Sequence, residues 1–429
     1  AYAAVNTIRL DDMRPYIYRT RDSGKTWTEI VKGIPDGQTV NVVREDTLRK
    51  GLLFAGTERA VYFSFDDGDN WQPLRLNMPA TSVRDLIVKD DDVAVATHGR
   101  GFWILDNIAP LRQLESGKGE TLLFKPQMAV RVRASLNTDT PIPPDEPAGE
   151  NPPDGAMIDY RLAEKVTGAI TLEIKDAKGN LVRRYSSTDA AESLDPKLKI
   201  PAYWVRPPQT LSGERGLHRF LWDMHYAPVP GIDPEYPMTA VPHNTAPEAT
   251  SPWVLPGDYS VILTANGKSY TQPLSIKMDP RVKASTADLT QQFELGKALY
   301  EIRPALETVN NGLGALSAEI GKAKERARQN PVTAQLDALN KKLQELAGPP
   351  NRRASGTLSL ELLEKLGTLF GAIQEVDVAP TPAIRAAVAE VQRESPSILQ
   401  RWQAIESEDL PALNRELEAA GIGRIENRK

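Results

Sequence analysis

The sequence predicts a multidomain β + α protein, with short strands in its first two thirds and helices in its last third. Three observations lead to this prediction. A turn motif occurs twice near the start of the chain, each time between two strands that alternate apolar and polar residues. More short strands, separated by turn residues, follow these copies. From Thr286 onward, apolar residues recur every three or four positions, as in an amphipathic helix.

The repeated motif reads Ser or Thr, any residue, Asp, any residue, Gly, any residue, Thr or Asn, Trp. Its copies, Thr20–Trp27 and Ser64–Trp71, lie 44 residues apart, and each is predicted to be a β-hairpin turn. We expect the aspartate to accept hydrogen bonds from its own turn, the glycine to take a positive φ and the tryptophan to bury its ring against the hairpin. The residues with these structural roles are Asp22, Gly24, Trp27, Asp66, Gly68 and Trp71.

The strands around the two motifs form successive units within residues 1–114. The middle unit has four predicted strands, which is the content of one β-propeller blade. These strands are Val40–Glu45, Leu52–Thr57, Val61–Phe65 and Trp71–Leu76. The first unit lacks its innermost strand, and the third unit ends without the motif. Residues 1–114 are therefore predicted to be about three blades of a partial β-propeller, with the remaining blades expected upstream.

These features resemble the Asp-box, or bacterial neuraminidase repeat (BNR), β-propellers. The closest resemblance is to sortilin-like bacterial proteins that are often labelled glycosyl hydrolases, and it is carried by Asp11–Pro15, Gly56–Glu58 and Thr97–Asp106. The resemblance identifies the repeated motif as an Asp box. It implies a peptide or protein ligand, as in sortilin-like proteins, or a carbohydrate, as in neuraminidase-repeat proteins. It also implies an extracytoplasmic protein, secreted or periplasmic, whose signal peptide would precede Ala1.

A proline-rich connector is predicted at residues 115–155, and about six or seven short strands follow at 156–282. The segment Asp176–Asn180 is predicted to be a hairpin turn between two of them. This pattern predicts a β-sandwich of immunoglobulin or fibronectin III type. Because the chain has no cysteine, we expect its core to depend on Trp222, Tyr259 and aliphatic side chains.

Residues 283–429 are predicted to form an antiparallel bundle of about four helices. The apolar stripes of the first two helices are Leu299–Ile320 and Val332–Leu346. A third helix is predicted at Leu358–Ile373, and a fourth begins after its N-cap, Thr381. We expect the stripes to cover one another in a shared core, with oligomer formation through an exposed stripe as the alternative.

Composition excludes several function classes. The net charge of −5 gives no basic surface for nucleic acid, and no apolar run is long enough to span a membrane. The absence of cysteine excludes disulfides and thiolate chemistry. The histidines lack zinc-ligand spacing and the Asp boxes lack the spacing of a calcium loop, so we predict no metal and no cofactor.

Candidate binding residues come from the turns between the second and third strands of each unit. Hairpin turns alternate between the two ends of a unit, so these turns open on the face opposite the Asp boxes. The ligand-binding residues predicted on this face are Asp11, Asp12, Arg14, Arg59, His98 and Arg100. The alternative is that they form the charged rim expected of any solvated turn.

The alternative function is that of a glycoside hydrolase, sialidase-like or other. Such an enzyme needs two carboxyl groups, and Glu58 is the catalytic residue we then predict on this face. Arg14, Arg59 and Arg100 would mimic the arginine triad with which sialidases bind a carboxylate. In this alternative most catalytic residues lie in upstream blades. A third possibility is that the chain only supports an assembly.

Overall fold

The computed structural model describes residues 1–114, 119–133, 149–190, 198–232, 235–237, 241, 243–328, 330–347 and 359–426. Part of the predicted connector and Leu358, the predicted start of the third helix, lie outside these residues. Within them, the protein combines several β-sheets with a C-terminal helical segment. No helix in the described ranges is long and apolar enough to cross a bilayer.

Three antiparallel sheets follow one another at the start of the chain. The first contains β1 (Tyr2–Ala4), β2 (Ile17–Arg19) and β3 (Thr28–Glu29). The second contains β4 (Val40–Glu45), β5 (Leu53–Thr57), β6 (Val61–Ser64) and β7 (Gln72–Leu74). The third contains β8 (Val83–Lys89), β9 (Asp92–Thr97) and β10 (Phe102–Leu105). We call these sheets, with their turns, the first, middle and third units.

Apolar cores on both faces of the middle unit hold the three units together. Successive residues of a strand point to opposite faces of the sheet. In β6, Tyr62 joins Ile17 and Trp71 in the core between the first and middle units. Val61 and Phe63 instead join the core between the middle and third units. The middle unit is therefore buried on both faces.

The helix α1 (Ala109–Gln113) follows β10, and the third unit has three strands in the described residues. Arg112 of α1 forms an ion pair of 2.8 Å with Asp46. A second ion pair joins Arg112 to Asp91. The side chains of Arg112 and Asp46 are 10% and 0% exposed, so a buried ion pair ties α1 to the middle unit.

Eight strands in the middle of the chain form two further sheets. The strands are β11 (Leu122–Leu123), β12 (Ala129–Arg131), β13 (Ala156–Leu162), β14 (Thr171–Asp176), β15 (Leu181–Ser186), β16 (Gly216–Trp222), β17 (Gly257–Ala265) and β18 (Lys268–Met278). One sheet has the order β11-β13-β16 and the other the order β12-β18-β17-β14-β15. Buried side chains of both sheets form one core, which includes Trp222 and Tyr259 with ring centroids 5.9 Å apart.

The C-terminal segment contains α2 (Thr286–Arg326), α3 (Thr333–Ala347), α4 (Ser359–Glu375), α5 (Pro382–Ala404) and α6 (Leu410–Ala419), with a π-helical turn at Ile405–Asp409. α2 contacts α3, α4 and α5, and the apolar stripes of the helices meet in one core. As predicted, Thr381 caps α5, and its hydroxyl accepts a hydrogen bond from the Ile384 N–H at 3.2 Å.

A cluster of charged side chains joins the central sheets to the helices. Arg131 in β12 donates to Asp377 at 2.5 Å, and Arg133 donates to the same carboxylate at 2.7 and 3.0 Å. The side chains of Arg131 and Asp377 are 3% and 2% exposed. Both guanidinium groups lie over the ring of Trp253, at 5.8 and 5.3 Å from its centroid.

One Asp-box residue departs from its predicted environment. Trp71 is 4% exposed, and its indole N–H donates to the carbonyl oxygen of Ile30 at 2.7 Å. Trp27 is 46% exposed, so the prediction that its ring is buried is wrong. The reason lies in packing between units. The first unit covers Trp71, whereas no sheet of the described residues lies against Trp27.

Candidate functional site

The two Asp-box turns have the same hydrogen-bond pattern. Asp22 accepts bonds from the backbone N–H of Thr26 at 2.9 Å and from its hydroxyl at 2.7 Å. Asp66 accepts bonds from the backbone N–H of Asn70 at 2.9 Å and from its side-chain amide at 2.7 Å. The hydrogen bonds from Thr26 lower the pKa of Asp22 to about 2. Both carboxylates therefore hold their own turns.

A third turn has the same pattern outside the first three sheets. Between β14 and β15, Asp176 accepts bonds from the backbone N–H of Asn180 at 2.8 Å and from its side-chain amide at 2.9 Å. Only the hairpin was predicted here, because this segment lacks the Ser or Thr, the Gly position and the tryptophan of the motif.

The boxes and the predicted binding residues lie at opposite ends of the strands. At the box end, the N–H of Asp67 donates to the carbonyl of Gly51 in the turn between β4 and β5, at 2.9 Å. At the other end, the N–H of Glu58 donates to the carbonyl of Thr39 at 3.0 Å. This bond joins the turn between β5 and β6 to the segment that connects the first and middle units.

Glu58 lies in a chain of hydrogen bonds that links all three units. Its Oε1 accepts from the side-chain amide of Asn41 in β4 at 2.9 Å and from the guanidinium of Arg84 in β8 at 3.1 Å. Asn41 accepts in turn from the side-chain amide of Asn6 at 2.6 Å. Burial raises the pKa of Glu58, but the hydrogen bond from Asn41 and the charge of Arg84 outweigh burial and lower it below its ordinary value.

Asn41 and Arg84 reach Glu58 because each lies at a β-bulge. The pairing of β4 with β5 skips Asn41, and the pairing of β8 with β9 skips Arg84. A bulge leaves one residue unpaired and redirects its side chain, and bulges are frequent next to functional sites. Both irregularities occur near the start of the first strand of their unit, so two consecutive units direct polar side chains to one carboxylate.

Three other predicted residues are exposed at this end of the strands. Arg59 follows Glu58 in the same turn, and His98 and Arg100 lie in the turn between β9 and β10. Within the described part of the chain, these three side chains form no hydrogen bond or ion pair. The N–H of His98 donates to the carbonyl of Ser82 at 2.8 Å, which ties this turn to the segment between the middle and third units.

The remaining predicted residues belong to the first unit and form a separate group. Asp12 and Arg14 form an ion pair of 2.8 Å, and Asp12 also accepts from the hydroxyl of Tyr16 at 2.7 Å. The hydrogen bonds from Arg14 and Tyr16 hold the pKa of Asp12 well below its ordinary value. Asp11 ends a short 3-10 helix with a φ of 62°. No described hydrogen bond joins Asp11, Asp12 or Arg14 directly to Glu58.

Sequence reasoning missed Asn6, Asn41 and Arg84. A signal for two of them is present, because Asn41 and Arg84 are polar residues inside strands whose neighbouring positions are largely apolar. That signal does not reveal which carboxylate they meet. In the described ranges, no three His, Cys, Asp or Glu side chains are grouped so that they could hold a metal ion.

No protein-family model matches the chain, and no curated protein matches it. Among solved structures, YCF48 bound to a D1 peptide has 15% identity over 39% of this chain and 46% of that chain, with a TM-score of 0.18. The extracellular domain of a putative one-component system from B. thetaiotaomicron has 11% identity over 62% and 29%, with a TM-score of 0.18. An ancestral GH74 enzyme has 10% identity over 59% and 49%, with a TM-score of 0.19.

The chain spans less than half the length of each of these three structures, at 46%, 29% and 49%. TM-scores of 0.18 and 0.19 do not assign a fold, so the description of the fold depends on the sheets and helices of this chain alone.

Proposed function

We propose that this chain is part of an extracytoplasmic recognition protein, secreted or periplasmic, which binds a carbohydrate or a peptide or protein ligand. The binding site is the end of the three units opposite the Asp boxes. One observation carries the proposal: two β-bulges in consecutive units direct Asn41 and Arg84 to the carboxylate of Glu58. A solvated rim alone does not require such an arrangement.

The proposal includes a finer assignment of the fold. Residues 1–114 are blades of an Asp-box, sortilin-like β-propeller, and residues 115–155 are a connector. Residues 156–282 form an immunoglobulin-like sandwich, and residues 283–429 form a helical bundle. The apolar cores on both faces of the middle unit support the first assignment, and the common core of two sheets supports the sandwich.

The charges of this end favour a ligand that carries carboxylate groups. The guanidinium groups of Arg59 and Arg100 have no partner in the described ranges. A guanidinium donates two parallel hydrogen bonds to a carboxylate, which gives both strength and orientation. Arg84 is 51% exposed beside its bond to Glu58, so it also remains open to a ligand. An acidic glycan or an acidic peptide fits this set of donors.

Glu58 is better suited to positioning than to catalysis. A glycosidase needs a carboxylic acid that stays protonated near neutral pH and a second carboxyl group across the scissile bond. The lowered pKa of Glu58 keeps it ionised, which does not suit the acid, and its carboxylate is already bonded to the amide of Asn41 and the guanidinium of Arg84. We therefore favour binding over hydrolysis.

The test is a screen of glycans and acidic peptides followed by affinity measurements on two double variants of equal charge. Arg59→Ala with Arg100→Ala removes the free guanidiniums. Lys25→Ala with Lys50→Ala removes two exposed cations at the Asp-box end. We expect the arginine variant to lose at least about tenfold in affinity, or about 1.4 kcal/mol, and the lysine variant to bind as the original chain does.

Two outcomes would contradict the proposal. Equal losses in both double variants would mean that overall charge, and not this end of the sheets, determines binding. Hydrolysis of a glycoside that disappears in Glu58→Gln would instead support the enzyme. Hydrolysis that persists in this variant would show that Glu58 is not the catalytic residue.

A further inference from the structure

A small pocket lies at the junction of the central sheets and the helices. Arg131 of β12 and Arg133 just after it form one side, and Gln374 of α4, Trp253 and three residues of α2 complete the walls. The pocket is partly open to solvent and has room for about one water-sized particle. None of the residues that line it is acidic.

The charges at this junction do not balance. Arg131 and Arg133 share the carboxylate of Asp377, so two positive charges meet one negative charge. His225, whose ring centroid lies 4.1 Å from that of Trp253, adds no charge because burial lowers its pKa. In the part of the chain that the structure describes, one positive charge is therefore left without a counter-charge.

Arg131 bears most of this imbalance, because solvent hardly reaches it. Its side chain is 3% exposed, whereas that of Arg133 is 23% exposed. Burial outweighs the attraction of Asp377 and lowers the pKa of Arg131, so the charged guanidinium is less stable here than in water. A buried charge that is incompletely paired costs free energy, and an anion beside it offsets part of that cost.

Arg131 also has a donor that is not used. Its terminal nitrogens donate to the carbonyl of Val254 at 2.7 Å and to Asp377 at 2.5 Å, but its buried Nε has no hydrogen-bond partner among the described residues. Arg133, in contrast, directs its donors to Asp377 and to the carbonyl of Gln374. The side-chain N–H groups of Gln374 form no hydrogen bond in the described ranges. The pocket thus combines positive charge with unused N–H donors.

We propose that this pocket binds one small monovalent anion of halide size, such as chloride. The uncompensated guanidinium charge attracts the ion, and the Nε–H of Arg131 donates to it. The space for about one water-sized particle excludes phosphate, carboxylates and sugars. The ion completes the charge balance between the central sheets and the helices, so the stability of this junction depends on the halide concentration. The inference does not depend on the ligand-binding role proposed above.

Anomalous diffraction would locate the ion. Crystals of the 429-residue chain would be grown with bromide in place of chloride, because bromide has an anomalous signal that distinguishes it from water. We expect a bromide peak within hydrogen-bond distance of the Nε of Arg131. A water molecule at that place, with bromide only at exposed lysines and arginines as an adventitious ion, would overturn the proposal.

Thermal unfolding, followed by the circular dichroism of the helices, tests the site in solution. Chloride is compared at constant ionic strength with gluconate, which is too large for the pocket. We expect about 100 mM chloride to shift the unfolding equilibrium about tenfold toward the folded state, as a ligand with a Kd of about 10 mM would. Arg131→Gln removes the unused N–H and the excess charge but keeps the pair of Arg133 and Asp377, so it should abolish this shift.

Arg303→Gln is the matched control. Arg303 pairs with Glu307 at 3.2 Å on α2 and does not line the pocket, so its loss should leave the chloride shift unchanged. Asp377→Ala gives the opposite expectation to Arg131→Gln and does not require that variant to fold. Because both guanidinium groups then lack their counter-charge, the chloride shift should exceed that of the original chain.

Two results in solution would overturn the proposal. Equal stability of the original chain in chloride and in gluconate would mean that no halide binds. A chloride shift of the same size in the original chain, Arg131→Gln and Asp377→Ala would identify a general effect of the salt on the whole protein.

Discussion

Asp22 illustrates at the level of one residue how the sequence sets a turn. Its carboxylate accepts the backbone N–H of Thr26 at 2.9 Å, an orphan donor that the bend would otherwise leave to water. The N–H of Gly24 donates to the hydroxyl of Thr20 at 2.9 Å, and Gly24 has a φ of 86°. The motif therefore supplies side-chain acceptors for the N–H groups of Asp22, Gly24 and Thr26, which is why its geometry could be predicted from spacing alone.

The hydrogen-exchange protection of this turn should depend on pH below about pH 4. The hydrogen bonds from Thr26 lower the pKa of Asp22 from its ordinary value near 4 to about 2. Because the pKa of Asp22 is lower in the folded turn than in the unfolded chain, its ionised carboxylate stabilises the turn at pH values above about 4. This stabilisation is lost as the pH falls from about 4 to about 2. We expect hydrogen-exchange protection of the Thr26 amide, corrected for its intrinsic rate, to fall in that window.

The variant Asp22→Asn is the control for this titration, since its side chain does not ionise. Its Thr26 amide should be less protected than the original above pH 4, and the difference should shrink as the pH approaches 2. A difference that stays constant down to pH 2 would show that the charge of Asp22 contributes nothing to the turn.

The hydrogen bonds from Asn41 and Arg84 to Glu58 were not predicted from the sequence. The Asp box is local, because each donor and acceptor lies within five residues of its partner. The bonds of Glu58 join positions 17 and 26 residues away and depend on the register of two different sheets. A bulge is invisible until both strands of a pair are aligned, so the face was predicted, whereas the partners of Glu58 were not.

At the scale of elements, Gly33 controls how closely the first and middle units approach. It has a φ of 104°, and a Cβ atom there would meet the carbonyl oxygen of Trp71 at 2.2 Å. Because the obstacle is backbone, it cannot move without separating the units. Gly37, in the same connecting segment, has a φ of 80°, and a Cβ atom there would meet nothing within 4 Å, so a side chain would cause backbone strain alone.

We expect Gly33→Ala to destabilise the first and middle units by more than about 3 kcal/mol, and Gly37→Ala by about 1 kcal/mol. Urea unfolding followed by tryptophan fluorescence would measure both, because Trp71 leaves its buried site when the units separate. Similar losses in the two variants would mean that the contact with Trp71 does not limit the packing.

The elements themselves were largely predictable. The four strands of the middle unit and the helical stripes follow from periods of two and about 3.6 residues, which each segment carries on its own. The exposure of Trp27 was not predictable in the same way. Its sequence neighbourhood matches that of Trp71, and only the presence or absence of an adjacent sheet distinguishes the two rings.

At the scale of the whole molecule, Asp377 is the main charged link between the central sheets and the helices. Its carboxylate pairs with both Arg131 and Arg133, which lie 246 and 244 residues earlier in the chain. Such a pairing has no local signature, so the sequence predicted the sandwich and the bundle without predicting what joins them.

We expect Asp377→Ala to cost about 3–5 kcal/mol, because it leaves a buried guanidinium without its counter-charge. The matched control is Asp409→Ala. Asp409 pairs with Lys342 at 2.8 Å, and that lysine side chain is 56% exposed, so its loss should cost about 1 kcal/mol or less. Thermal unfolding compares the two. Equal small effects would show that the apolar contacts of Trp253 and its neighbours hold the junction without the ion pair.

The turn at Asp176 shows that aspartate-bonded turns do not by themselves identify the repeated unit of residues 1–114. It reproduces the aspartate-to-asparagine bonds of Asp66 and Asn70, yet it joins β14 to β15 in a different sheet, with a core of its own. The same pair of aspartate bonds thus closes two different bends, because the box turn has a positive φ at Asp67 and Gly68, whereas this turn has it at Gly179. Counting such aspartate bonds along a chain therefore counts hairpin turns of more than one kind, and the repeated unit of residues 1–114 is distinguished by the tryptophan that follows its turn.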